Sequence, residues 1–258
     1  MAASDARRMA ILELLRTGRV VRVAELSRQF DVSEVSVRRD LDWLEECGLA
    51  KRVHGGAVPV AAPTTAMGDD RRDTPHLEAK QRIGRAAAQL IRPGERIILD
   101  SGTTVREIAR QIAVRAADLQ PLTVITASLR AFRELALTRG LELLVLGGIY
   151  LPDFQTLVGP QTVAAMHDLH VDKLFLGADG LSIAHGITSA NVLEAEASRA
   201  MVEAAAATIV VADSSKINSA GLTTIIPLAR VHTLITDSAA PAEFVAALEQ
   251  QGVEVVLV

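Results

Sequence analysis

Apolar positions in the first fifty residues recur at helical spacing. Ile11 and Leu15 stand one turn apart, and Met9 and Leu12 widen the same face, so a first helix is predicted over Asp5 to Thr17. Ser4 is its cap and Gly18 its stop. A second helix is predicted over Val23 to Phe30, burying Leu26 and Phe30. The short turn Asp31-Val32-Ser33 follows, with Ser33 placed to cap a third helix from Glu34 to Cys47 that ends at Gly48. On this helix Val37, Leu41 and Leu44 form an inward stripe, which turns Glu34, Ser36, Arg38, Arg39 and Asp42 outward. Leu49 to Val58 then reads as a hairpin around His54-Gly55-Gly56.

Patterning stops between Val58 and His76, a stretch with three prolines and an Asp-Asp-Arg-Arg-Asp cluster. It is read as a linker over 58–76, dividing a domain at 1–57 from one at 77–258. Beyond it a helix over Leu77 to Ile91 gives way to short apolar runs: 96–99, 122–125, 143–146, 173–176, 208–212, 233–236 and 253–258. Helical stretches near 104–113, 128–139, 192–206 and 241–250 alternate with them. Such alternation predicts an α/β domain with a largely parallel sheet.

Composition narrows the function. Hydrophobic residues are 49% and charged residues 22%, the mix of a folded chain. Aromatics are only 3%, too few for platforms that stack single-stranded bases. The net charge is −4, so any surface for nucleic acid must be local. Residues 1–57 hold ten Lys/Arg against nine Asp/Glu, and the remainder seventeen against twenty-two. The single cysteine, Cys47, allows no internal disulfide and fits a reducing compartment. With no signal-peptide pattern and no 18-residue apolar run, a soluble cytoplasmic protein is expected.

A short helix, a tight turn and a second helix with a polar outer face is the helix-turn-helix arrangement, whose second helix enters the major groove of DNA. Ser33, Ser36, Arg38 and Arg39 are its candidate contacts, and Arg52 and His54 belong to a wing along the backbone. In the second domain, ligands of a parallel sheet bind beyond the carboxyl ends of its strands. Asp100-Ser101-Gly102-Thr103-Thr104 follows the first strand, and a helix comes next. Gly102 permits close approach, the threonines offer hydroxyls and the helix start offers free N–H groups, the parts of a phosphate cradle. Asp100 repels a phosphate directly, so it holds the loop or a sugar hydroxyl. Thr126, Gly148, Asp179 and Lys216 end other strands, and Lys216 supplies positive charge. No GxGxxG or GxxxxGK[ST] motif occurs, and no cofactor is expected. His167 and His170 lack a third ligand, so no metal site is expected.

The run VSEVSVRRDLDWLEECGLAKRVHGGA resembles the signature of DeoR-type transcriptional regulators. Val32, Ser33, Arg38, Arg39, Asp40, Leu41, Leu44, Glu45, Gly48, Leu49, Arg52, His54, Gly55, Gly56 and Ala57 match it, and Ser36 replaces the usual Thr. DSGTT at 100–104, LGG at 146–148, GADG at 177–180, DSSK at 213–216 and ITD at 235–237 extend the resemblance. It implies a winged helix-turn-helix followed by a sensor domain similar in fold to ribose-5-phosphate isomerase and coenzyme A transferases. The implied partners are double-stranded operator DNA, a phosphorylated sugar or related metabolite, and further copies of the chain as a homodimer or tetramer. By the same resemblance Asp100, Gly102, Thr103, Thr104, Gly148, Asp179 and Lys216 surround the ligand. Ala127 departs from the usual Asn, and Ser198 stands where Lys often precedes Arg-Ala-Met. The expected function is a repressor of carbohydrate-metabolism genes, with no catalytic residues. The alternative is an isomerase-like enzyme with a DNA-binding appendage, Asp100 or Asp179 acting as base beside Lys216.

Overall fold

The computed structural model describes residues 7–8, 10–11, 14–15, 20–46, 50–53, 55–59 and 74–258. Ser4, Met9, Leu12, Gly18, Cys47, Gly48, Leu49, His54 and linker positions 60–73 lie outside these described residues. The chain forms two compact units, Met1–Gly68 and Asp69–Val258.

In the first unit residues 7, 8, 10, 11, 14 and 15 are helical, and Ile11 and Leu15 are fully buried. They share a core with Leu26 of α1 (Val23–Phe30) and with Val37, Leu41 and Leu44 of α2 (Glu34–Glu46). Phe30, expected inside, is half-buried at the rim of that core, because α1 ends there and Asp31 turns the chain through a left-handed conformation. Ser33 accepts from the Ser36 N–H at 3.2 Å, the bond expected of an N-cap. The hairpin has strands β2 (Ala50–Val53) and β3 (Gly56–Pro59), and a short β1 (Val21–Arg22) pairs antiparallel with β3. The sequence pattern gave no sign of β1, which is two residues long.

The second unit runs α3 (Leu77–Gln89), β4 (Arg96–Leu99), α4 (Thr103–Val114), β5 (Leu122–Thr126), α5 (Leu129–Leu135), β6 (Leu141–Val145), β7 (Ile149–Leu151), β8 (Thr156–Val158) and α6 (Pro160–Met166). It continues β9 (Val171–Leu176), β10 (Gly180–Ser182), β11 (Gly186–Ser189), α7 (Val192–Ala204), β12 (Ala205–Val211), β13 (Thr223–Ile226), β14 (Thr233–Thr236), α8 (Ala242–Glu249) and β15 (Glu254–Leu257). Seven strands form one sheet in the order β15-β14-β12-β9-β4-β5-β6, with every pair parallel.

Both faces of this sheet are buried, which is why its central strands read as apolar runs. Ile97, Leu99, Phe175, Ile209 and Val211 face the helices α3, α4 and α5. Ile98, Leu174, Leu176 and Val210 face α6, α7 and α8. A Cβ on Gly84 of α3 would lie 2.7 Å from the Cβ of Glu107 on α4, so glycine is what lets these helices cross so closely. Strand order decides where a ligand can sit. From the β4–β9 boundary the chain proceeds outward both ways, to β5 and β6 on one side and to β12, β14 and β15 on the other. That boundary is the switch point of the sheet, where a crevice opens at the strands' carboxyl ends. The antiparallel sheet β10-β11-β13 and the pair β7-β8 were not foreseen; they are built from strands of three or four residues.

Candidate functional site

The outer face of α2 carries the first candidate surface. Arg38 reaches Glu34 one turn back, with Nη2–Oε2 at 2.6 Å. Arg39 is exposed and forms no ion pair or hydrogen bond among the described residues. The Ser33 and Ser36 hydroxyls lie 3.0 Å apart, so Ser33 serves its cap and Ser36, half-buried, is tied to it. Arg52 differs from expectation. Its Nε lies 3.1 Å from Asp42 Oδ1, and its N–H donates to Glu45 Oε1 at 2.7 Å. It therefore folds back onto α2 and braces the hairpin instead of projecting from it. Beneath this surface Asp40, only 2% exposed, accepts from Arg7 Nε at 2.6 Å and Arg8 Nε at 2.9 Å.

In the second unit a cavity of about 380 Å³ opens at the switch point. Asp100, Ser101, Gly102, Thr103 and Thr104 line it from the end of β4 and the start of α4, and Gly177 and Asp179 from the end of β9. Ser215 and Lys216 come from beyond β12. Gly102 is the N-cap residue of α4, at φ 106°, a conformation glycine adopts without penalty. It has no side chain to cap with, which leaves the first N–H groups of α4 for a ligand.

The loop bearing Lys216 is fixed from below. Asp237 accepts the Ser214 N–H at 2.6 Å and the Ser214 hydroxyl at 2.9 Å. Asp213 binds the Ser215 hydroxyl and pairs with buried Lys80, Nζ–Oδ2 at 2.9 Å. Burial alone would raise both aspartates. Instead the Ser215 and Lys80 contacts hold Asp213 below the usual carboxylate range, and the Ser214 and Ala239 contacts do the same for Asp237. Lys80 spends its charge on Asp213. Lys216 has no ion pair or side-chain hydrogen bond among the described residues.

Three carboxylates sit on the same cavity wall. Asp100 accepts the Gly177 N–H at 3.2 Å, and Ser198 lies 3.4 Å from its other oxygen. Glu194, on the first turn of α7, accepts from Ser101 at 2.6 Å and Ser189 at 2.8 Å. Asp179 accepts the Ala190 N–H at 2.7 Å. Burial, with nearby Glu194, pushes the Asp100 carboxyl up to about 7. Burial raises Glu194 too, against the lowering pull of its two serines.

Two of the expected ligand residues lie elsewhere. Thr126 is fully buried, donating to Leu99 O at 2.7 Å and accepting the Ser128 N–H at 3.0 Å. It stitches β5 to β4. Gly148 is a packing glycine: a Cβ there would lie 2.2 Å from Thr162 Oγ1 and 2.5 Å from Val158 O. Neither lines the cavity, although Arg130, which follows β5, and Asp153 and Phe154, between β7 and β8, do, so the strand ends do not all converge on one pocket. Ala127 packs into the core. Conversely Lys80, Arg130, Thr188, Ser189 and Glu194 line the cavity and were missed, and Ser198, noted only as a departure from the family pattern, lines it too.

Two domain families match the chain. Residues 7–61 match the DeoR-like helix-turn-helix domain, and residues 75–238 match the DeoR C terminal sensor domain. The chain belongs to the DeoR family. The putative aga operon transcriptional repressor of Escherichia coli O157:H7 is 36% identical over 100% of this chain and 95% of its own. The HTH-type transcriptional repressor GlcR of Bacillus subtilis is 33% identical over 98% of this chain and 96% of its own. The transcriptional repressor AccR of Agrobacterium fabrum is 33% identical over 90% and 89%. Among solved structures, ribose 5-phosphate isomerase A from Methanocaldococcus jannaschii aligns with 54% of this chain and 53% of its own, at 20% identity and a TM-score of 0.40. This DeoR-family protein is thus a DNA-binding transcriptional regulator and not an enzyme. No helix among its described residues is long and apolar enough to cross a membrane.

Proposed function

We propose that this chain is a repressor whose hold on operator DNA is set by a phosphorylated sugar, or a related metabolite, bound at the switch-point cavity. The carrying observation is that the uncapped α4 start and Lys216, a cation with no ion pair among the described residues, line the same cavity. Amide donors and one free positive charge are what a phosphate monoester needs and what a neutral sugar does not. Thr103 and Thr104 add hydroxyls, and Asp100, Asp179 and Glu194 accept from the ligand's polar body. The names of the relatives support repression.

On the DNA side, Arg39 and Ser36 of α2 meet the groove, with Arg38 and the wing contacting the backbone. One winged helix covers too few base pairs for tight recognition, so the chain acts as a homodimer or tetramer on repeated half-sites. The effector moves the DNA equilibrium only by binding two arrangements of the protein unequally. The test is a mobility shift with DNA from upstream of the chain's own gene, repeated with a panel of sugar phosphates and their unphosphorylated counterparts. One phosphate ester is expected to change the midpoint while its sugar does not. Binding of that DNA unaffected by every ester, with no thermal shift of the protein, overturns the effector reading.

A further inference from the structure

Thr74, Pro75 and His76 end the interdomain segment, and they are fastened to both elements that build the phosphate cradle. Arg106, one turn into α4 from Gly102 and only 3% exposed, donates from Nη2 to Thr74 Oγ1 at 3.4 Å. Buried Lys80 donates to Pro75 O and reaches Asp213 Oδ2 at 2.9 Å, at the root of the Lys216 loop. The chain then turns at His76 through a left-handed conformation, φ 55°, and enters α3, where the Lys80 N–H donates back to His76 O at 3.1 Å. This path lays Pro75 and His76 on the cavity wall, which they share with Gly102, Thr103 and Lys216. His76 is exposed, and its imidazole caps nothing and forms no hydrogen bond or ion pair among the described residues. An imidazole has a donor in either protonation state, which suits a phosphate oxygen or a sugar hydroxyl.

We propose that the effector is read by the interdomain segment itself, with Pro75 and His76 as one wall of its cavity and the His76 imidazole in contact with it. The inference rests on the reading of this cavity as a sugar-phosphate site and adds to it a binding residue and a route to the DNA-binding domain. A contact made equally in both arrangements of the protein changes affinity alone. A contact made unequally changes the ratio of the two affinities, and that ratio is the coupling to DNA. Lys216 stands on the sensor core and makes the first kind of contact. His76 closes the segment that leads back in sequence to residues 1–57, and makes the second.

The experiment is calorimetric titration of the full-length protein with a panel of hexose and pentose phosphates, followed by a mobility shift on DNA from upstream of its gene at saturating ester. His76→Asn removes the imidazole and keeps a residue that tolerates the left-handed turn. It should weaken the ester that binds about two- to tenfold, the range for one hydrogen bond between neutral groups. At saturation it should also move the DNA midpoint less than the wild type does. Lys216→Ala should weaken the ester at least as much and yet give the full wild-type movement at saturation. An unchanged dissociation constant in His76→Asn overturns the contact. Full movement at saturation in His76→Asn, or movement lost equally in Lys216→Ala, overturns the reading by the segment. Each of these results leaves the phosphate site standing. Failure of the wild type to bind any ester, or a bound ester that leaves its DNA midpoint in place, removes the effector reading and this inference together.

Discussion

Each unit of the protein buries carboxylates, and the two treat them in opposite ways. Asp40 of the DNA-binding unit holds two arginines, Arg7 and Arg8, at 2.6 and 2.9 Å. Asp100 of the sensor unit is nearly as buried and meets a backbone N–H, a serine and another carboxylate. The sensor unit also contains its own counterexample, since Asp213 is neutralised by Lys80. A buried charge with its counter-charge in the chain braces structure: Asp40 ties the first helical segment to α2, and Asp213 anchors the Lys216 loop. Asp100 and Lys216, which form no ion pair among the described residues, line the same cavity. That cavity is the proposed effector site.

The comparison breaks most visibly at Asp40. Asp40→Ala strands two arginines, and the expected loss is about 2–3 kcal/mol, below the 3–5 typical of fully buried pairs because Arg7 and Arg8 keep a path to water. Chemical denaturation of the DNA-binding unit reads it. A loss under half a kcal/mol would mean the arginines are surface decoration. Lys216→Ala is the opposite case, a charge whose removal should leave folding untouched and weaken the phosphate ester about ten- to a hundredfold. An unchanged dissociation constant in titration would misplace the phosphate.

The sequence carried much of this, and what it lost has physical reasons. Parallel strands buried on both faces announce themselves as apolar runs, so β4, β9 and β12 were found along with the polar residues that follow them. Thr126 and Gly148 carry the same local signature, a small or polar residue after a strand, and yet lie away from the cavity. What separates them from Asp100 and Asp179 is tertiary packing, Thr126 bonding to Leu99 and Gly148 lying against Val158 and Thr162, contacts that no local pattern encodes. Ser189 was missed because its three-stranded antiparallel sheet is made of strands too short to show a period. Glu194 was masked differently: three residues after the N-cap Asn191 it reads as half of a capping box, yet its carboxylate turns to Ser101 and Ser189. Arg52 looks like a basic wing residue, and only the fold shows Asp42 beside it.

Asp100 sharpens the comparison through pH. Its carboxyl titrates near 3.8 in the unfolded chain and about 7 in the folded one. Below pH 4 both states hold the proton and the buried group costs nothing. As the pH rises through 7 the folded state must bury a charge, so this contribution to stability is lost. Asp100→Asn, which mimics the protonated form, should stabilise the ligand-free sensor unit at pH 8 by on the order of 1–2 kcal/mol, and by almost nothing at pH 4. Thermal melts at the two pH values decide it. A variant destabilised equally at both would make Asp100 a structural acceptor like Asp40.

The smallest effect concerns two neighbouring arginines that differ in the same way. Arg38 is paired with Glu34 across one helical turn, and Arg39 has no ion pair among the described residues. Both are exposed, so neither matters to folding, and an exposed pair of this type contributes only about 0.3–0.5 kcal/mol. On DNA the difference becomes a readout. Arg39→Ala should weaken operator binding by about 1–3 kcal/mol if it reads a base, or flatten the salt dependence by about one unit if it binds phosphate. Arg38 must first leave Glu34, so Arg38→Ala should cost less by about the energy of that pair. Glu34→Gln, which frees Arg38 and removes a negative charge from the groove-facing surface, should tighten binding by a similar few tenths of a kcal/mol. Gel-shift midpoints at two salt concentrations separate these cases. If Arg38→Ala costs as much as Arg39→Ala while Glu34→Gln changes nothing, the ion pair does not restrain Arg38, and the rule that unpaired charges mark function ends at the protein surface.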